Sequence, residues 1–308
     1  MLTVKFADRD FISKELSDEE YENQIKKIAE IIKNADAVVV GGGSGISSAA
    51  GYNHYHRTTV FDKYFSKFEE AYGFSSLLDG YYYLYSSNEE RWAYYSQYIK
   101  FLYEAETGSP YIDLYEILKN KDYFILTTNI DMQFSKVFPE ERIWLFQGDS
   151  RYFQCSQPCH DKLYDNKSLV YEMDRKLEGV KIPGELVPRC PECGRVMSMW
   201  VRDYEFLEGK FFKESKDRYE KFLDKYKNSN IVFLELGVGD MTPSIIKLPF
   251  WQMTFNMPKA FMITVDRAKA EAPEHIKNKC IACNLDIAEF TNRLKKELNK
   301  KKWEKMEE

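Results

Sequence analysis

The chain of 308 residues carries 44 Lys+Arg against 49 Asp+Glu, a formal net charge of −5, and is 44% hydrophobic. That length suits one large α/β domain with insertions or about two domains, and that apolar content excludes a disordered chain. The mildly acidic balance argues against general nucleic-acid binding, and no uncharged apolar stretch reaches the ~20 residues that a bilayer crossing requires.

The opening residues, Met1 to Asp10, contain no apolar signal core, so a cytoplasmic, reducing location is expected. A helix is predicted over Asp18–Asn34, where Ile25, Ile28, Ala29 and Ile32 recur at helical spacing. The short apolar run Ala37–Val40 follows and leads directly into Gly41-Gly-Gly-Ser-Gly-Ile-Ser-Ser-Ala-Ala-Gly51. A buried strand that enters a glycine-rich turn is the opening of a nucleotide-binding α/β unit. Glycines there let the backbone approach a pyrophosphate, and the helix that follows offers N–H groups to the anion. The strict G-x-G-x-x-G pattern fails, because Ser48 stands at its sixth position counted from Gly43.

Residues 52–115 hold 14 of the 22 tyrosines. Tyr94, Tyr98 and Leu102 share a helical face, so this segment reads as a mostly helical insertion whose aromatics chiefly pack, with some free to wall a cleft. Strands are predicted at Tyr123–Thr127, Ile143–Phe146, Ile231–Leu236 and Ala260–Val265; each is apolar on both faces, as covered parallel strands are. The tail from Asp286 reads as a helix with Ile287, Phe290 and Leu294 on one face, running into the charged stretch Lys295–Glu308. Polar loops follow two of the strands: Thr128-Asn-Ile-Asp131, and Gln147-Gly-Asp149. Ligands of doubly wound sheets bind at strand carboxyl ends, so these loops and the glycine turn are expected to line one crevice. Asn129 can donate and accept there, and Asp131 can face a cationic group or cap a helix.

Six cysteines fall in close pairs. Cys155-x3-Cys159 and Cys190-Pro-Glu-Cys193-Gly194 read as the halves of a closed four-thiolate zinc site, structural rather than catalytic and away from the crevice. Two other arrangements stay open: a site that uses Cys280 or Cys283, and His160 in place of one thiolate.

The order of these pieces resembles the sirtuin family of NAD-dependent protein deacylases and ADP-ribosyltransferases. The resemblance rests on Gly43-Ser-Gly-Ile-Ser47, Thr127-Thr-Asn-Ile-Asp131, Leu145-Phe-Gln-Gly148, the two cysteine pairs, and Val232–Leu236 running into Gly237-Val-Gly239. It implies a doubly wound, Rossmann-like parallel sheet built from residues 1–52, 119–150 and 201–308. A helical tyrosine-rich insertion would occupy 53–118, and a zinc-binding module 151–200. It also implies NAD as co-substrate. The residues expected to hold it are Gly43, Ser44, Gly45, Ser47, Arg57, Thr128, Asn129, Asp131, Gln147, Gly237, Val238, Gly239, Asp266 and Asn284, with Asn129, Asp131 and Gln147 catalytic.

The departures from the deacylase pattern are informative. Gln147-Gly148 stands where the deacylases carry His-Gly, Thr128 replaces a Gln, Arg57 is the nearest match to a Pro-Asp-Phe-Arg motif, and Met199–Asp203 replaces a Phe-Gly-Glu motif. Together these substitutions resemble the macrodomain-linked (class M) sirtuins of microbes. That branch transfers ADP-ribose to a glycine-cleavage-H-like carrier bearing lipoate, and a macrodomain ADP-ribosyl hydrolase is its functional partner. Glutamine cannot titrate, whereas general-base catalysis contributes about 10²–10⁴ in rate. ADP-ribosyl transfer is therefore the expected activity. A deacylase with another base, an NAD glycohydrolase and a non-catalytic NAD sensor are the alternatives. Any base for the acceptor is expected from Asp131, Asp149 or the substrate protein.

Overall fold

The computed structural model describes residues 10–12, 16–240 and 242–304. Most of the opening segment and the last four residues of the charged tail lie outside this range. The first elements are β1 (Asp10–Ile12), α1 (Asp18–Asn34), β2 (Ala37–Gly42) and α2 (Ser44–Ala49). A capping box starts α1: the Ser17 hydroxyl accepts from Glu20 N–H while the Glu20 carboxylate accepts from Ser17 N–H. Its four buried residues are the ones the periodicity picks out. β2 runs two residues further than its apolar core suggests. Gly41 and Gly42 are strand residues paired with Leu126 and Thr127 on one side and Glu235 and Leu236 on the other, and a Cβ at either would collide with Ile246 and Phe250, or with Phe134.

Four helices follow: α3 (Thr59–Tyr72), α4 (Leu77–Tyr82), α5 (Asn88–Glu104) and α6 (Ser109–Leu118). The hydroxyls of Thr58, Ser76 and Ser87 cap the first three. Next come β3 (Asp122–Thr127), α7 (Gln133–Val137), β4 (Ile143–Leu145), β5 (Gly148–Cys155), β6 (Tyr164–Asp165), α8 (Lys167–Arg175) and β7 (Met197–Val201). The chain closes with α9 (Lys210–Tyr226), β8 (Ile231–Leu236), α10 (Lys247–Asn256), β9 (Phe261–Val265), β10 (Glu271–Pro273), β11 (Cys280–Cys283) and α11 (Ile287–Glu304).

Six parallel strands form the main sheet in the order β11-β9-β8-β2-β3-β4. The order reverses around β2, so the carboxyl ends of β2, β3 and β8 open the crevice that a doubly wound sheet offers to ligands. β11 is Cys280–Cys283 itself, buried along its length. Those cysteines are core strand residues, which removes them from any metal site. Among the described residues, no helix is long and apolar enough to cross a membrane.

There are two hydrophobic cores. The first lies around the main sheet and includes Tyr111, Leu114, Ile117 and Leu118 of α6 and Ile287, Phe290 and Leu294 of α11. The second joins the helical segment to the cysteine module: Phe61, Phe65, Phe68, Trp92, Tyr94 and Tyr98 share it with Phe153, Cys155, Val170, Met173 and Met197. Residues 53–118 thus divide between the two cores. The Trp92 and Phe153 rings lie 4.8 Å apart across the second one. Tyr94 packs against Phe65, Phe68 and Phe74 at 5.2, 5.3 and 5.5 Å, and its hydroxyl donates to the Leu77 carbonyl at 2.7 Å. A three-stranded antiparallel sheet, β6-β5-β7, carries the module. Phe65 is fully buried in this core, so Phe65→Ala should lower stability by about 3–5 kcal/mol, read as a lower midpoint in chemical denaturation.

Candidate active site

The glycine turn is built by contact between two backbones. Gly43 N–H donates to the Leu236 carbonyl at 3.1 Å, and Gly45 N–H donates to the Gly237 carbonyl at 3.0 Å. A Cβ on Gly43 would come within 2.5 Å of Gly237 O, and one on Gly45 within 2.6 Å of Gly237 Cα. Gly237 has φ +61°, which suits a residue without a side chain. The loop after β2 therefore rests directly on the loop after β8. This alters part of the sequence reading. Gly45 and Gly237 support the crevice from below, whereas Gly43, Ser44, Val238 and Gly239 line it. No side chain caps α2, so its first-turn amides keep no side-chain partner there.

The crevice is a cavity of about 550 Å³, within the usual range for small-molecule sites. Thr128, Asn129, Asp131 and Gln147 line it together with Ser47. Asn129 Nδ2 donates to the Gly43 carbonyl at 2.8 Å and to Ser47 Oγ at 3.1 Å. A carbonyl can only accept, so the amide orientation is dictated by the network. With both amide hydrogens committed to the protein, Asn129 presents its Oδ1 acceptor to a ligand. Asp131 is buried; one carboxylate oxygen accepts from the Ser47 hydroxyl and the other from Gln133 N–H at 3.1 Å. It thus closes the turn into α7 and also fixes Ser47. The next residue, Met132, has φ +65°, an uncommon conformation for a residue with a side chain.

Gln147 occupies the two-residue turn between β4 and β5. Phe146 has left the predicted strand, and its N–H donates to the Thr127 carbonyl at 3.1 Å. Gly148, with φ +86°, lets the turn close against the Trp200 carbonyl, where a Cβ would collide. The Gln147 carbonyl accepts from Arg202 N–H at 3.0 Å.

Several expected residues sit elsewhere. Arg57 is exposed, ion-paired with Asp62 at 2.8 Å and Glu69 at 2.5 Å, and does not line the cavity. Asp266 and Asn284 come together at the carboxyl ends of β9 and β11, but they hold a turn: Asp266 Oδ1 accepts from Ala268 and Lys269 N–H, and Asn284 Oδ1 from Ala270 N–H. Asp149 is buried and paired with Arg151 at 3.0 Å, outside the cavity lining. Charge pairing and turn formation claim these side chains, and neither is visible in spacing.

Other lining residues escaped the sequence reading. His54, Tyr55, Leu77, Leu78, Tyr81, Tyr82 and Tyr98 form a wall from the helical segment. Arg202 joins them. Its guanidinium lies 4.6, 4.3 and 5.0 Å from the ring centres of Phe146, Phe206 and Phe212, and donates to the Phe146 carbonyl and to Glu208. Its Nη2 is sealed from solvent with no partner in the protein. The tyrosine density of 52–115 was the one available signal for this wall.

The four thiolates form a separate site. Cys155, Cys159, Cys190 and Cys193 bring their sulfurs within 4.8 Å of one another, with Cys155–Cys193 at 3.5 Å and Cys159–Cys190 at 3.6 Å. Sulfurs at the ~2.3 Å Zn–S distance of a tetrahedral site would be spaced this way, so the donor set fits zinc. His160 stands beside it: Nδ1 lies 3.1 Å from Cys159 Sγ, and Nε2 lies 2.8 Å from the Tyr164 hydroxyl. With four thiolates converging, the imidazole acts as an outer partner that orients a ligand.

No family model matches the chain. It is 31% identical over 274 residues to a protein ADP-ribosyltransferase of Staphylococcus aureus (strain Mu50 / ATCC 700699), covering 88% of this chain and 86% of that protein. The chain belongs to the sirtuin family. The fold agrees: Sir2Tm bound to a propionylated peptide superposes with a TM-score of 0.58 at 18% identity, covering 89% of this chain and 98% of that one. A Sir2 homolog in complex with NAD superposes with a TM-score of 0.56 at 14% identity, over 90% and 94% of the two chains. This sirtuin is also 29% identical to a probable bifunctional ADP-ribose hydrolase/ADP-ribosyltransferase of Fusarium oxysporum f. sp. cubense, spanning 71% of this chain and 38% of that protein.

Cys190 is buried at the junction of the zinc site and the second core. Cys190→Ser should reduce bound zinc, measured by metal analysis of the purified protein, and lower the thermal midpoint. A metal-free parent that melts like the variant would refute the assignment.

Proposed function

We propose that this sirtuin transfers ADP-ribose from NAD to a protein acceptor and releases nicotinamide. The observation that carries the reading is Gln147. It lines the same cavity as Asn129 and Asp131, at the place where deacylases of the family carry a histidine. Deacylation needs a base for a ribose hydroxyl, and an amide has no titratable group near neutrality. Transfer asks less of that position: the cavity has to bind NAD, hold the glycosidic bond for cleavage, exclude water and admit a nucleophile. The activity named for the Staphylococcus relative points the same way.

The chain's own residues suit these tasks. Gly43, Ser44, Val238 and Gly239 would meet the pyrophosphate with backbone and hydroxyl groups. Asn129 Oδ1 would accept from a hydroxyl of the nicotinamide ribose, with Ser47 and Gly43 holding the amide in place. Gln147 would orient a second hydroxyl. Asp131 would offset the positive charge of the nicotinamide ring before it departs. The wall of Tyr55, Tyr81, Tyr82 and Tyr98 would keep bulk water from the reacting carbon.

For the acceptor we infer a lipoyl-bearing carrier protein, on the strength of the resemblance to the macrodomain-linked branch. A macrodomain ADP-ribosyl hydrolase is the inferred functional counterpart. The Fusarium relative supports that link, because its name joins a hydrolase to a transferase in one chain.

Asn129→Ala should lower the rate of nicotinamide release by about 10²–10³, the cost of losing one preorganised polar contact, with an unchanged circular dichroism spectrum. Near-parental turnover would remove Asn129 from the reacting centre. The parent protein, given labelled NAD and a lipoylated carrier, should label the carrier and should leave acetyl-lysine peptides essentially untouched. Deacetylation at a rate comparable to transfer would overturn the reading.

A further inference from the structure

We propose that His54 is the general base of this sirtuin, taking the proton from the nucleophile that attacks C1′ of the NAD ribose. The inference rests on the transferase reading above and concerns the acceptor's proton, which is not the ribose-hydroxyl proton that a base at position 147 would take.

His54 lines the cavity that holds Asn129, Asp131 and Gln147. Three elements fix it. Its carbonyl accepts from Leu78 N–H at 3.0 Å on α4, its ring lies 6.0 Å from the Tyr98 ring on α5, and its imidazole bonds the backbone of Tyr52. The Nε2 atom is sealed from solvent and has no hydrogen-bond partner in the protein. Buried polar atoms normally find partners, so an orphaned imidazole nitrogen at a ligand cavity marks a place where the ligand completes the bond.

The other titratable groups near the cavity are engaged or unsuited to accept a proton. Asp149 lies outside the lining, engaged by Arg151 and Ser135. Asp131 has one oxygen on Ser47 and the other on Gln133 N–H. Phenols are acids rather than bases at neutral pH, and burial pushes Tyr81 and Tyr98 further up. Arg202 stays protonated by its chemistry.

The groups that face the imidazole set its charge. Burial lowers its pKa from the ordinary ~6.5 of histidine, and the Asp131 carboxylate pulls the other way. Tyr98 on α5 presents a neutral phenol. The ring is therefore the free base at neutral pH, and Asp131 stabilises the imidazolium once it forms.

In the step itself, the C1′–N bond to nicotinamide breaks and its electron pair leaves with the ring nitrogen, which becomes neutral. The bond from C1′ to the acceptor atom forms, and the acceptor's proton passes to His54. A protein group or water obeys the same balance.

The test uses the full chain with labelled NAD, with a lipoylated carrier as acceptor and, in parallel, water alone. Because burial lowers the His54 pKa, the parent should keep its rate through the ordinary histidine range and lose it only at more acid pH. His54→Gln should still bind NAD by calorimetry but turn over about 10²–10⁴-fold more slowly and lose that acid limb. Added imidazole should restore part of the rate to His54→Ala. Where His54→Gln melts below the assay temperature, His54→Asn takes its place. Parental turnover in the variant, or an acid limb that survives the substitution, overturns the role of His54 and leaves the transferase reading standing. A parent that binds no NAD and releases no nicotinamide sinks that reading, and the base with it.

Discussion

The site depends on the close approach of two loops at the point where the sheet order reverses. The loop after β2 lies directly on the loop after β8, with Gly43 and Gly45 against Gly237 at distances no Cβ could tolerate. That contact shapes one end of the cavity. It brings Ser44 and Ser47 from one strand's end and Val238 and Gly239 from another's into a single floor. Such a floor is preorganised, since groups fixed by the packing of two loops need little rearrangement to meet a ligand.

Beside this floor lies a small polar network. Asp131 holds Ser47, Ser47 and Gly43 hold the Asn129 amide, and Asn129 is left with one acceptor to offer. Each member has its partners within the protein, so the arrangement exists before any ligand arrives. In a buried setting such bonds are stronger than in water, and breaking one leaves the others unsatisfied. The same network explains why Asp131 serves two purposes: it closes a backbone turn and sets a hydroxyl. His54 and Arg202 differ from it, because each keeps one nitrogen sealed and without a partner.

The second core gives the cavity its other wall. Aromatic residues of the helical segment pack with the β-sheet and helix of the cysteine module, so the zinc site and the tyrosine wall are mechanically one lobe. The thiolates stand apart from the cavity lining, and their contribution is to hold β5 and β7 in place. β5 begins at Gly148, one residue after Gln147, and β7 ends at Val201, one residue before Arg202. Cys155 ends β5, so the thiolate cluster and Gln147 flank opposite ends of one strand.

Much of this was legible in the residues alone. Apolar runs placed five of the six parallel strands but not β11, whose cysteines read as a possible metal pair; helical spacing placed α1 and α11, and motif order placed Asn129, Asp131 and Gln147 in one crevice with a thiolate quartet apart from it. These features are local: periodicity, turn composition and ligand spacing are written along the chain. Contacts between distant segments were not. The extension of β2 through Gly41 and Gly42 depends on pairing with Leu126, Thr127, Glu235 and Leu236, and the glycines leave room for Ile246, Phe250 and Phe134. Arg57 is drawn to Asp62 and Glu69, while Asp266 and Asn284 are spent on a turn. His54 is one histidine among four, and only the packing of α4, α5 and the loop after β3 singles it out. The sequence by itself determined the family, the sheet and the zinc ligands, because those rest on local pattern and order. Which side chains face the cavity was decided by tertiary structure, since burial, charge pairing and orphaned nitrogens arise from neighbours that are far apart in the chain.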